Sequence, residues 1–377
     1  MKEQSLYPIV KKFLDSHFGC NSVQDKVVFN LLKNWKIDVV GAVKSDSEYA
    51  IIAVEVKPFI RPDTFLQAIS QAEMYQKVSK RAYIAFPEKE ILEYEKDYPE
   101  DWQKMLNIAK AKGIGVLSIG SKTCTIKEEA TEFPQNPEVY KDIINQIEEY
   151  TLHTFTGFNH EDYDYFLGRE KGRRNIVKRK IALFLKELKS KMLNNCGDFP
   201  SIDPKKLQVE IGNLQLNYCW CYISQEKTKR LLAQNAHFTI GINGRGISIC
   251  VNMESDKAVS QFVKKAKSDQ NALLKILQKL NEGCFLKIFE RVPPPESPKA
   301  PHFRWEWIPV YEFYAPYIDK ETLMVAIKRI ESLQHGVVRL YCAEYTRDQE
   351  IIYSEDLIDE IFQLIKESQS FYSWVRQ

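Results

Sequence analysis

A chain of 377 residues with 44% apolar and 28% charged side chains and a formal net charge of +2 is an ordinary globular composition. Single cores stop growing near ~250–300 residues, so two or three domains are expected. The absence of any run of about 18 apolar residues excludes a spanning helix, and MKEQSLYPIVKKFL reads as an amphipathic helix rather than a secretory leader, which places the chain in the cytoplasm.

In chain order, residues 3–17 carry Leu6, Ile9, Val10, Phe13 and Leu14 at helical spacing. Strand-like segments follow near 26–32, 36–44 and 49–57, the last two joined by the turn KSDSE. Pro62 opens a helix reaching about Lys80, and RAYIAFP reads as a short buried strand. The acidic EKEILEYEKDYPED leads into a helix at 101–112, and GIGVLSIG makes another strand. This order describes a sheet with helices against it, an α/β domain over residues 1–122. A connector with some helix is expected over 123–174, and 175–377 reads as an α+β domain with a mostly antiparallel sheet. There HFTIGINGRGISICVNM forms a hairpin, a helix spans 255–280, and two strands flank the loop PPPESPKAP. A helix at 319–334, the strand GVVRLYCAEY and an amphipathic helix around DLIDEIFQLIKE close the chain.

The stretch YAIIAVEVK holds the clearest chemical signal. An apolar strand ends in Glu55 and Lys57, which share a facing because strand side chains repeat every second residue. Asp38 lies 17 positions earlier in the apolar WKIDVVGAV, so adjacent strands could bring both carboxylates to one end of the sheet. Hard divalent cations take oxygen ligands, and magnesium typically uses one or two carboxylates while keeping water for a substrate phosphate. The parts suit phosphodiester hydrolysis, and neither a GxxxxGK[ST] loop nor a GxGxxG turn points to other phosphate chemistry. Eight cysteines without a CxxC pair and six scattered histidines indicate neither a zinc site nor a Cys/His nucleophile, and the thiols are expected to be reduced and mostly buried.

At IDVVG, EVK and QAEMY the sequence resembles the PD-(D/E)XK nuclease superfamily, with QAEMY similar to the QxxxY helix of RecB-type nucleases and KEQSLYPIVKKFL similar to the preceding helix. Ile37 stands where the motif has proline. The resemblance covers about residues 1–120 and implies a restriction-endonuclease-like αβββαβ core. It also implies that Asp38 and Glu55 ligate Mg2+, or Mn2+, with help from the Val56 carbonyl. Lys57 would orient the attacking water, Gln71 and Tyr75 would support the site from the following helix, and Glu3 would touch the metal or its ligands. The expectation is a magnesium-dependent DNA endonuclease of restriction or defence type, for which a homodimer would suit double-strand cleavage. The competing expectation is a non-catalytic nucleic-acid-binding or scaffold protein that retains the fold.

Residues 168–192 place ten Lys and Arg against two Glu. Arg173, Arg174, Lys178 and Arg179 are the candidates for contacting DNA phosphates, and a solvated helix face is the competing reading. Tyr218, Trp220 and Tyr222 share one strand face, as do Phe303, Trp305 and Trp307; such faces can stack on bases, but core packing is the expectation for both.

Overall fold

The computed structural model describes residues 2–20, 22–29, 35–45, 48–135, 137–226, 228–292 and 306–376. Part of the KSDSE turn, all of PPPESPKAP, and Phe303 and Trp305 therefore lie outside the described residues. The chain forms two compact units, residues 1–153 and 154–377.

The first unit is a mixed sheet of six strands in the order β1-β2-β3-β4-β5-β6, from β1 (Ser22–Phe29), β2 (Trp35–Ser45), β3 (Glu48–Val56), β4 (Arg81–Pro87), β5 (Gly115–Ile119) and β6 (Cys124–Glu128). The β3–β4 and β4–β5 pairs are parallel and the others antiparallel. Its helices are α1 (Tyr7–Phe18), α2 (Pro62–Tyr75), α3 (Glu88–Asp97), α4 (Pro99–Ala111) and α5 (Pro137–Thr151). The element order through β4 is thus α, three strands, α, strand, as the sequence indicated. The acidic stretch is itself helical, ending where Pro99 follows Tyr98 and restarts the chain as α4.

Strand β3 is the centre of this unit. Ile51 to Val56 are all buried because α1 covers one face of the sheet and α2 and α4 cover the other. Leu14, Val10 and Phe13 of α1 pack with Val39, Val54 and Val56, while Phe65, Ala68 and Tyr75 of α2 pack with Val40, Ala53 and Ile84. Burying each such aliphatic or aromatic side chain contributes roughly 1.5–3 kcal/mol, enough in sum to offset the cost of drawing Glu55 into the interior with them. Gly41 on β2 lets the end of α1 close down: a Cβ there would stand 2.6 Å from the Cys20 Sγ.

The expected connector divides between the units. Strand β6 extends the first sheet, and Ile143, Ile144 and Ile147 of α5 are buried in its core. Residues from 154 onward belong to the second unit.

That unit is an antiparallel sheet of seven strands in the order β12-β11-β13-β10-β9-β8-β7, built from β7 (Gln208–Leu214), β8 (Tyr218–Ser224), β9 (His237–Asn243), β10 (Gly246–Met253), β11 (Phe285–Val292), β12 (Glu306–Tyr314) and β13 (Gly336–Thr346). Its helices are α6 (His160–Phe166), α7 (Arg174–Asn194), α8 (Lys229–Gln234), α9 (Asp256–Ser268), α10 (Gln270–Leu277), α11 (Lys320–Glu331), α12 (Leu357–Glu367) and α13 (Gln369–Arg376). The helix expected over 255–280 is two helices with a break at Asp269. Phe184 of α7, Phe262 of α9, Leu323 of α11, Ile361 of α12 and Phe371 of α13 meet Cys221, Ile240, Ile249 and Leu340 of the sheet in one large core. All eight cysteines are free thiols, and all but Cys196 are buried. Among the described residues no helix is long and apolar enough to cross a membrane.

Candidate active site

The antiparallel register of β2 and β3 runs from Ser45↔Glu48 to Val39↔Val54, which brings Asp38, just beyond the last pair, to the end of β3 that carries Glu55. The backbone amide of Val56 donates to Asp38 Oδ2 at 2.9 Å, and the Tyr7 hydroxyl lies 2.9 Å from Asp38 Oδ1. Lys57 Nζ donates to Glu55 Oε1 at 2.5 Å, and the Tyr75 hydroxyl makes a short hydrogen bond with Glu55 Oε2. The Lys57 side chain is 13% exposed against 2% for Glu55, so the site meets solvent on the lysine side.

Two carboxylates and one ammonium leave this cluster short of positive charge. Burial pushes the Glu55 carboxyl up to about 7, and the Asp38 charge adds to the rise against the pull of Lys57 and Tyr75. Burial also raises Asp38 above the ordinary carboxylate range, although the Val56 amide and the Tyr7 hydroxyl pull it down. Tyr7 and Tyr75 are driven well above the usual phenol range, first by burial, so both remain protonated donors at neutral pH.

Gln71 precedes Tyr75 by one helical turn on α2, and its Oε1 is a buried acceptor with no hydrogen-bond partner. Such an atom in a native interior calls for an explanation, and a bound water or ion is one. Glu3, in a 3-10 turn at Glu3–Ser5, reaches the cluster through Tyr7, whose hydroxyl lies 2.7 Å from Glu3 Oε1. Among the described residues no three His, Cys, Asp or Glu side chains converge as a ready metal cage. The donor set is two carboxylates close enough for the Asp38 charge to act on Glu55, hard oxygens that fit a cation keeping much of its water. The structure therefore brings together Asp38, Glu55, Val56, Lys57 and Tyr75, with Glu3 at one remove. Tyr7 escapes a reading of the sequence because a tyrosine at core spacing looks like packing; its place four residues after Glu3 on one helical face is the available signal.

The chain matches no family model and no curated protein. Part of it is similar to a solved protein of unknown function from Silicibacter pomeroyi, at 19% identity over 40% of this chain and 86% of that one, with a TM-score of 0.29. Another part is similar to Pyrococcus furiosus SfsA in complex with Ca2+, at 19% identity over 33% of this chain and 59% of that one, with a TM-score of 0.19. Likenesses of this size identify no family.

In the second unit the four basic candidates separate. Arg174 and Lys178 are exposed on α7, and Arg179 is half-buried with a partner of its own. Arg173 corrects the sequence reading: it is buried, with Nη2 at 3.0 Å from Asp162 Oδ1, and Lys180 Nζ lies 2.5 Å from Asp162 Oδ2. A run of basic residues does not mark which of them turn inward. On the aromatic strand Tyr222 is buried and Tyr218 and Trp220 are half-buried. Cys219, Cys221 and Ile223 point into the helix-covered core, so Tyr218, Trp220 and Tyr222 occupy the opposite face of the sheet. Trp220 lies against Gly212, where a Cβ would stand 2.4 Å from the ring, and the Tyr222 hydroxyl donates to Glu210 at 2.8 Å.

Proposed function

We propose that the first unit is a divalent-metal-dependent nuclease that hydrolyses phosphodiester bonds of DNA. The observation that carries this reading is the buried Glu55 carboxylate, bonded by Lys57 and Tyr75, beside the half-buried Asp38, whose charge helps to raise it. Buried charges of one sign are retained at a cost of several kcal/mol unless something compensates them, and perturbed carboxyls at a strand end mark functional sites. The helix, three-strand, helix, strand order and the resemblance at IDVVG, EVK and QAEMY point the same way.

Asp38 and Glu55 would hold Mg2+ or Mn2+, with the Val56 carbonyl as a further oxygen. The bound cation would lower the pKa of a water and neutralise charge developing on the phosphate. Lys57, on the solvent side of Glu55, would hold that water and stabilise negative charge at the attacked phosphate. Tyr75 keeps Glu55 in place by its hydroxyl, and Gln71, one turn earlier on α2, would support the site from that helix. Arg174 and Lys178 are available to meet DNA phosphates.

The test is cleavage of linear, circular and single-stranded DNA with Mg2+ or Mn2+ by the wild type, Lys57→Ala and Asp38→Ala. Divalent-dependent cleavage lost in both variants supports the proposal. Cleavage that survives Asp38→Ala contradicts it, and a wild type that neither cleaves DNA nor binds divalent cations transfers the reading to a non-catalytic nucleic-acid-binding protein.

A further inference from the structure

We infer that Tyr7 is a positioning residue of the cation site, aligning Asp38 through a hydroxyl that it also shares with Glu3. The inference rests on the nuclease reading of Asp38 and Glu55. Tyr7 is 3% exposed, its ring packed among Leu6, Val10 and Val56, and its hydroxyl lies 2.9 Å from Asp38 Oδ1 and 2.7 Å from Glu3 Oε1.

A carboxylate held at one oxygen can still turn about its Cβ–Cγ bond, a broad and soft torsion. Asp38 is held at both: Val56 N–H fixes Oδ2 from β3, and Tyr7 fixes Oδ1 from α1. The two anchors come from different elements, so the plane of the carboxylate is set by how α1 packs on the sheet. Glu55 has the mirrored arrangement, with Lys57 from its own strand at Oε1 and Tyr75 from α2 at Oε2. Helices on opposite faces of one sheet thus each supply a tyrosine to one carboxylate. A hydroxyl carries one proton, so Glu3 and Asp38 compete for the Tyr7 donor, and Glu3 acts on the site through that competition.

Tyr7→Phe removes the oxygen and keeps the ring, so the core of α1 is preserved. Groups that orient a ligating side chain are worth about 10–100-fold in metal affinity. Calorimetric titration of the full chain with Mn2+ at pH 8 is expected to show affinity weakened at least tenfold in Tyr7→Phe, with the melting temperature and the DNA affinity in EDTA unchanged. Glu3→Ala leaves the hydroxyl entirely to Asp38 and is expected to bind Mn2+ as well as the wild type or better. Equal Mn2+ affinity in Tyr7→Phe and wild type would overturn the role of Tyr7. A loss in Glu3→Ala as large as in Tyr7→Phe would overturn it too, since Glu3 would then be the ligand. If the wild type binds no Mn2+, or Asp38→Asn binds it normally, the cation site itself is wrong and the inference falls with it.

Discussion

Each unit buries a cluster of opposite charges, and the two clusters are balanced differently. In the second unit one carboxylate, Asp162, faces two cations, Arg173 and Lys180, and its Oδ2 also accepts the Asn159 amide at 2.9 Å in the capping box that starts α6. Every oxygen has a donor, and the cluster ties the start of α6 to α7. In the first unit Lys57 is bonded to Glu55, Asp38 accepts from the uncharged Tyr7 hydroxyl and Val56 amide, and both carboxyls have raised pKa values. A buried carboxylate surrounded by cations is a structural joint. A pair of carboxylates short of one is, on the proposed reading, where a cation would go.

The largest effect that would sharpen this contrast is in the structural cluster. Asp162→Asn leaves two buried cations without their counter-charge, and breaking such a set typically costs about 3–5 kcal/mol. Urea unfolding followed in the second unit should lose about that much, whereas a loss under 1 kcal/mol would mean the cluster is solvated and the contrast false.

Next in size is the pH dependence of cation binding. Glu55 is raised to about 7, so below that pH a proton competes for the carboxylate and apparent Mn2+ affinity should fall about tenfold per unit, while above it affinity levels off. In the cation-free protein the same shift has the reverse sense. A raised carboxyl favours folding in acid, and the Glu55 contribution declines as the pH rises from about 4.5 toward 7. Mn2+ affinity independent of pH between 5.5 and 8 would break the account of Glu55.

A smaller change separates a functional from a structural carboxylate by its sign. Asp38→Asn should raise the cation-free stability by about 1 kcal/mol at pH 8, a shift of about 2–4 °C for a unit of this size, because it removes the half-buried charge that helps to raise Glu55. Destabilisation there would assign Asp38 to the same class as Asp162. The smallest effect concerns the surface of α7. Replacing Arg174 and Lys178 with Gln should flatten the logarithmic salt slope of DNA binding by about 0.9 for each phosphate that is no longer neutralised. An unchanged slope would leave those residues as a solvated helix face.

The fold of the first unit was legible because short, continuously apolar strands alternate with period-3.6 helices, and Asp38, Glu55 and Lys57 stood out as charges set into or beside apolar strands. What escaped depends on contacts distant in sequence. Tyr7 sits 31 residues from the carboxylate it holds. Arg173 is 11 residues from Asp162, whose role as its partner follows from how α6 meets α7. Tyr218, Trp220 and Tyr222 alternate as a strand should, but period alone does not say which face the helices will cover. Here the smaller Cys219 and Cys221 face the helices. The division of the expected connector likewise rests on β6 pairing with β5, a choice made by tertiary packing.

The central claim is that Asp38 and Glu55 together hold a divalent cation, and counting bound Mn2+ by electron paramagnetic resonance at pH 8 tests it most directly. The account predicts that the wild type removes Mn2+ from the free signal saturably and that Asp38→Asn and Glu55→Gln each abolish this uptake while remaining folded. Uptake that persists in both variants, or none in the wild type, would contradict it.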